Sequence, residues 1–193
     1  MNRVAVWTCA GLVALSGIVL LAKAGYIQAK ASLAQYLIED AWQASAPAGR
    51  SVKPWPWADT WPVARLRLPG ERVDLLVLAG DSGHALAFGP GHSLASAPLG
   101  SGGLAVVGGH RDTHFAFLRD LLPGTPLELE LPDGSVRRYR TAAGAIVDIR
   151  RTPLVRDDRA DTLLLVTCYP FDALTTGGPL RYVVAARPEP RAA

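Results

Sequence analysis

The sequence predicts an all-β domain, an antiparallel barrel or sandwich of about eight strands, carried on a single N-terminal membrane helix. Three observations predict it. From Val63 onward, short runs rich in Val, Leu and Ile are punctuated by Gly, Pro, Asp or Ser. One of these runs, PLELELPDGS, alternates Leu127, Leu129 and Leu131 with Glu128 and Glu130 before a Pro-Asp-Gly turn. Near the start, the nineteen residues from Val4 to Ala22 carry no charge, which is about the length a helix needs to cross a bilayer.

The membrane segment is bracketed by Arg3 and Lys23. It exceeds the apolar core of a signal peptide, roughly 7–15 residues, so residues 1–24 are read as a retained anchor although Ala22-Lys23-Ala24 resembles a cleavage site. The flanking charges decide no orientation, but a single anchor with everything else downstream usually exports the larger part. Cys9 then sits in lipid and Cys168 across the membrane, where the two cannot pair. A lone exported thiol is either a buried small hydrophobe or a reactive group. The charge balance, 20 basic against 17 acidic residues, leaves a small excess spread along the chain, and no nucleic-acid partner is expected.

After the anchor, Leu33, Tyr36, Leu37, Ala41 and Trp42 recur at helical spacing within Gly25 to Ala46, predicting an amphipathic helix whose stripe packs on the domain. Residues 47–63 hold four prolines and three tryptophans, which exclude regular helix and favour an extended path. Trp55, Trp57 and Trp61 are read as clamps pinning that path, an aromatic ligand groove being the alternative. Residues 25–62 are thus helix and linker, residues 63–188 the domain and residues 189–193 a disordered tail. The expected strands are VARLRLPG, RVDLLVLAG, HALAFG, LAVVGG, PLELELPDGS, VRRYRTAAGAIVDIR, TLLLVTC and RYVVAARP. Within the domain, helical spacing appears in THFAFLRDLL, residues 113–122, with Thr113 as its cap.

If Cys168 is a nucleophile, it needs a base or cation to make thiolate and a group to hold the oxyanion formed on attacking a carbonyl. His84 and His92 lie in Gly-rich text and read as solvated loop residues. His110 directly follows the apolar run LAVVGG and so projects from a strand end, a position from which scaffolds present working side chains; His114 falls in the first turn of the expected helix. Arg181 opens the last apolar strand thirteen positions after Cys168. Neighbouring antiparallel strands would set the two on one edge, where the donor fork of Arg suits an oxyanion or peptide carbonyl. On chain physics alone, Arg181 reads equally as an ordinary surface arginine.

Taken together these segments resemble a sortase. TLLLVTC is similar to the family's TLxTC signature, GHRDTHFAFLRDL to its GHR-x-T-x-F-x-x-L histidine segment, and an Arg heads the final strand. CYPF with its spacing to GGPLRY looks like the class D type, while the anchor and PWPWADTWPVARL resemble the Gram-negative sortases called class GN. The resemblance implies an eight-stranded closed β-barrel with one or two short helices behind a transmembrane helix. It also implies a single-pass enzyme of the inner membrane, facing the periplasm or cell exterior. Such an enzyme is a cysteine transpeptidase without cofactor or metal. Cys168 would attack an LPxTG-like sorting motif of a surface protein and hold it as a thioester until an amine acceptor releases it. His110 would shuttle the proton, Arg181 would steady the oxyanion, and Thr167 and Tyr169 would shape the substrate site.

Three other readings compete. A thiol hydrolase would differ only in passing the acyl group to water. A zinc site from His110, His114, Cys168 and His92 is opposed by Arg111, whose cation follows His110 where H-E-x-x-H would require Glu. A tethered binding domain would bury Cys168 as an unreactive thiol. The carboxylates Asp112, Glu128, Glu130, Asp157 and Asp158 are scattered, so no calcium site is expected. GDSGHALAFGPGHS and TTGGP are expected to wall the substrate groove.

Overall fold

The computed structural model describes residues 2–151, 161–173 and 177–189. Asp157, Asp158, the threonines of TTGGP, residues 190–193 and the side chain of Cys9 lie outside the described part, as do the expectations placed on them. The chain divides into two compact units, Met1–Leu37 and Ile38–Ala193.

Helix α1, Arg3–Ala48, runs without a break across the expected end of the anchor. At 1.5 Å per residue its length is about 69 Å. In the first unit Leu12, Val13, Leu15, Ile18, Leu20 and Leu21 are all exposed, so apolar side chains point outward all round, as for a helix solvated by lipid. The stretch from Ala10 has the length and hydropathy to cross a membrane.

The second unit opens with the last turns of α1, which bury Ile38, Ala41, Trp42 and Ser45. Spacing of three and four puts these on one stripe, whereas Leu33 and Tyr36, expected in it, are 57% and 68% exposed. The period was readable; its phase was off. Ser45 donates its hydroxyl to the Ala41 carbonyl at 2.7 Å and accepts the Val52 N–H at 3.1 Å, tying the start of the linker to the helix end.

Nine strands follow among the described residues: β1 Pro62–Leu68, β2 Val73–Ala79, β3 Gly91–His92, β4 Leu104–Gly108, β5 Pro126–Glu130, β6 Val136–Thr141, β7 Ala145–Asp148, β8 Thr162–Cys168 and β9 Leu180–Pro188. Their order is β6-β5-β1-β2-β3-β4-β8-β9-β7, and pairing of β6 with β9 closes the sheet. Eight strands therefore form the barrel. The ninth, β7, shares an edge of β9 with β6: β7 pairs at Leu180 to Val183 and β6 at Ala186 to Pro188. The interior holds Leu66, Leu68, Val77, Val107, Phe115, Leu118, Leu127, Leu129, Leu163, Leu165 and Val184, each at most 1% exposed.

Four expectations are corrected. HALAFG is not a strand but helix α2, Gly83–Leu86, and the turn after it. Ala and Leu favour helix over strand, and Leu86 N–H donates to the Ser82 carbonyl at 3.0 Å. VRRYRTAAGAIVDIR splits into β6 and β7, with Ala142 to Gly144 between them, and a Cβ on Gly144 would sit 2.0 Å from the Tyr182 hydroxyl. Residues 113–122 form turns and a four-residue 3-10 helix, Ala116–Arg119, instead of an α-helix, and Thr113 makes no cap. The sheet is also not wholly antiparallel: β2 pairs with β3, and β4 with β8, in parallel. Beyond β9, Glu189 donates its N–H to the Arg138 carbonyl at 2.9 Å and meets Arg140.

Candidate active site

The parallel pairing of β4 with β8 decides what can meet what. Its register runs from Leu104 opposite Thr162 to Gly108 opposite Val166. Continued two residues, it sets His110 beside Cys168 at one end of the barrel; an antiparallel pair would have sent them to opposite ends. Across the other edge, β8 and β9 are antiparallel and Cys168 lies directly opposite Arg181.

The faces agree as well. Leu104 and Val106, Leu164 and Val166, and Val183 and Ala185 form a second apolar cluster outside the barrel, joined by Val147. Strand alternation from these residues puts Cys168 and Arg181 on that same outer face, while His110 lies two residues past the end of β4. Cys168 is a free, half-buried thiol, and His110 is exposed.

Each residue is held by its neighbours. The Gly109 N–H donates to the Val166 carbonyl at 3.0 Å, while Thr167 Oγ1 donates back to the Gly109 carbonyl at 2.7 Å. Gly109 is required at this crossing, since a Cβ would come 2.8 Å from the Phe115 ring. The His110 carbonyl accepts the Phe115 N–H at 2.9 Å, so the fully buried Phe115 anchors the histidine's backbone. Arg181 donates from one guanidinium nitrogen to the carbonyls of Gly178, at 2.6 Å, and Leu180, at 2.9 Å. Tyr169 stacks on Tyr182 at 6.4 Å between centroids and meets Phe171 edge-on.

Thr167 does not contact the outer face. It is 2% exposed and shares the inward side of β8 with Leu163 and Leu165, so its place is a brace between two strand ends. His92 is also corrected, from a solvated loop residue to one 6% exposed in β3, with Nε2 3.0 Å from the Ala97 carbonyl. His114 packs its ring 6.0 Å from that of His110. Burial first, and then the nearby His110, hold its imidazole below the usual histidine range. Its Nδ1 is buried with no hydrogen-bond partner among the described residues. No group of three His, Cys, Asp or Glu able to hold a metal occurs among those residues.

Sequence reasoning weighed Arg111 only as an obstacle to a metal. It is 8% exposed and donates to the carbonyls of Pro170, at 2.6 Å, and Ala173, so the residue after the histidine holds the loop after the cysteine. Charge-assisted bonds of this kind are strong. Its position beside His110 was a visible signal, but its direction depended on the parallel register.

A family model described as a sortase domain matches residues 66–189. Sortase D of Bacillus subtilis (strain 168) is 32% identical over 120 residues, covering 62% of this chain and 60% of that protein. Sortase A from Corynebacterium diphtheriae superposes with a TM-score of 0.61 at 26% identity, over 70% of this chain and 64% of that one. The Sortase D5 transpeptidase of Clostridium perfringens gives 0.65 at 17% identity, over 82% and 99%, a likeness of fold. The chain thus spans less than two thirds of the length of the first two relatives. With the closed barrel and more than half of the sequence matched, the chain belongs to the sortase family.

Proposed function

We propose that the protein is a membrane-anchored cysteine transpeptidase whose catalytic groups are Cys168, His110 and Arg181. The observation that carries this reading is the register of β8 with its two neighbours, which sets Arg181 opposite Cys168 and runs β4 toward His110 on the same side. Cys168 attacks the carbonyl carbon of the scissile peptide in an LPxTG-like motif. The C–S bond forms, the C–N bond breaks, and His110 protonates the departing amine. An incoming amine then yields a proton to His110, attacks the thioester carbonyl and forms a new amide, while sulfur leaves as thiolate. Arg181 donates to the oxyanion at both stages, which requires its guanidinium to turn from the Gly178 carbonyl toward substrate. Thr167 and Arg111 position the strand end and the following loop, and Tyr169, next to Cys168 and stacked on Tyr182, helps shape the substrate site.

The N-terminal helix serves as a single-pass anchor in the inner membrane, with the barrel on the periplasmic or outer side. CYPF and the anchor with its Trp-Pro linker support a class GN assignment with a class D-like motif. The donor is a surface protein bearing the sorting motif.

Thiol alkylation of the full chain in detergent, read by intact mass and peptide mapping across pH, tests the reading. Rapid labelling of Cys168 that slows when His110 is replaced by Ala is expected. A Cys168 that labels only after unfolding would sink the proposal and leave a tethered binding domain. Supplying a candidate sorting peptide with and without an amine then separates transfer from hydrolysis.

A further inference from the structure

The aromatic residue expected to clamp the linker, Trp57, is 82% exposed, whereas those beside Cys168 and Arg181 are packed together. Phe171, three residues after Cys168, touches each of the others. Its ring meets Tyr169 edge-on at 6.2 Å between centroids and Tyr182 at 5.2 Å and 66°. The Arg119 guanidinium lies over the same ring, 5.2 Å from its centre, and also donates to the Asp172 carboxylate. Half-buried, Phe171 packs against the barrel interior. The reaction above gives it no part.

We infer that Phe171 is a positioning residue, whose ring joins the three chain segments that carry Cys168, Arg181 and His110 and holds them in a fixed relation. Tyr169 follows Cys168, and Tyr182 follows Arg181. The Tyr169 N–H donates to the Leu180 carbonyl at 3.1 Å, so pairing of β8 with β9 reaches one residue beyond Cys168. Successive strand residues face opposite sides; with Cys168 and Arg181 on the outer face, the two tyrosines take the inner one. A ring set against both tyrosines fixes the backbone from which the thiol and the guanidinium project. Arg119 makes the third link. It closes the segment that begins at His110, and Arg111 in that segment donates to the carbonyls of Pro170 and Ala173, on either side of Phe171. Two arginines from the histidine's segment thus grip the loop after the cysteine, one by its carbonyls and one by its ring. Edge-on aromatic pairs and cations over rings are each weak contacts. A displacement of about 1 Å at a reacting group can nonetheless cost up to about 10²-fold in rate. The role rests on the transpeptidase reading; the contacts do not.

Acetyl-Leu-Pro-Ala-Thr chloromethyl ketone is a suitable probe, because its carbonyl is attacked as the scissile one would be before the C–S bond forms and chloride leaves. Inactivation of the full chain in detergent, with peptide mapping of Cys168, gives a maximal rate and a half-saturating concentration. All variants are measured well below their own melting temperatures. Phe171→Leu should lower the maximal rate about tenfold and leave half-saturation within about twofold, since a misplaced oxyanion donor is felt in the transition state. Arg119→Gln, an exposed change that keeps the fold, should lower that rate about threefold, while Arg119→Lys, which keeps a cation over the ring, should stay near the parent. Asp172→Asn should also match the parent, because Asp172 is 87% exposed and such pairs contribute little. A maximal rate unchanged in both Phe171→Leu and Arg119→Gln, or a change confined to half-saturation, would overturn the inference. So would a loss in Phe171→Leu that follows a lowered melting temperature and is absent from Arg119→Gln. A parent Cys168 that reacts with neither this ketone nor iodoacetamide while folded would instead overturn the transpeptidase reading, whereas a reactive parent matched by its variants sinks the role of Phe171 alone.

Discussion

The two walls of the barrel are built by opposite rules. In the wall β6-β5-β1-β2 every pair is antiparallel, and the strands alternate apolar inside with charge outside. Leu66, Leu127 and Leu129 point inward, while Arg138 meets Glu128, Arg67 meets Glu130, and Arg65 meets both Asp74 and Glu39. In the wall β4-β8-β9 one pair is parallel, and both faces are apolar. A strand apolar on both sides reads as a continuous run, as LLLV does, whereas a half-solvated strand alternates, as LELEL does. The first wall spends its outer face on water. The second has an apolar, partly buried outer face that carries Cys168 and Arg181.

The largest expected effect tests that division directly. Cys168→Ala should lower motif cleavage by at least about 10⁴-fold with an unchanged melting temperature, measured by peptide cleavage and calorimetry. A lowered melting temperature would mean that the thiol serves packing. Leu165→Ala removes a fully buried side chain and should cost about 3 kcal/mol in denaturant unfolding; a cost near zero would mean that β8 is not a core strand. Arg181→Lys exchanges a donor fork for a point charge and should lower turnover by about 10²-fold, whereas normal turnover would return Arg181 to an ordinary surface role. On the charged wall, Glu128→Ala breaks an exposed cross-strand pair with Arg138 and should change stability by less than about 1 kcal/mol.

The smallest effect is a pH dependence. The Arg65 guanidinium, hydrogen-bonded to Asp74, holds its carboxyl below the ordinary value of 3.8 against the opposing pull of partial burial. The unfolded chain therefore takes up the proton first, and stability contributed by this pair is full above about pH 3.8 and lost as pH falls below it. Asp74→Asn should flatten that part of an acid melting curve by about 0.5 kcal/mol. A curve unchanged in the variant would show the pair to be energetically neutral.

Much of this contrast was legible in the sequence. LELEL and LLLV gave the two strand types, and the position of His110 after LAVVGG, with the spacing from Cys168 to Arg181, located three strand ends. What the sequence withheld is long-range pairing. Nothing local in LAVVGG says that its partner is TLLLVTC or that they run parallel, so the braces supplied by Thr167 and Arg111 could not be assigned. HALAFG misled because short apolar alternation does not distinguish a strand from one helical turn. The α1 stripe slipped because a helix with apolar residues on most sides has no marked phase.

The bond from Thr167 to Gly109 joins residues 58 apart in the chain, and this bears on the order of events when the protein folds. The hairpins β1-β2 and β5-β6 close short loops, whereas the β4-β8 pair closes a much longer one at a higher entropic cost. Until that ladder closes, the chain has a cysteine and a histidine but no means of introducing them. If Cys168 reacts as proposed, thiol reactivity and the finished barrel should appear with one rate constant on refolding, which would make labelling of Cys168 a clock for assembly.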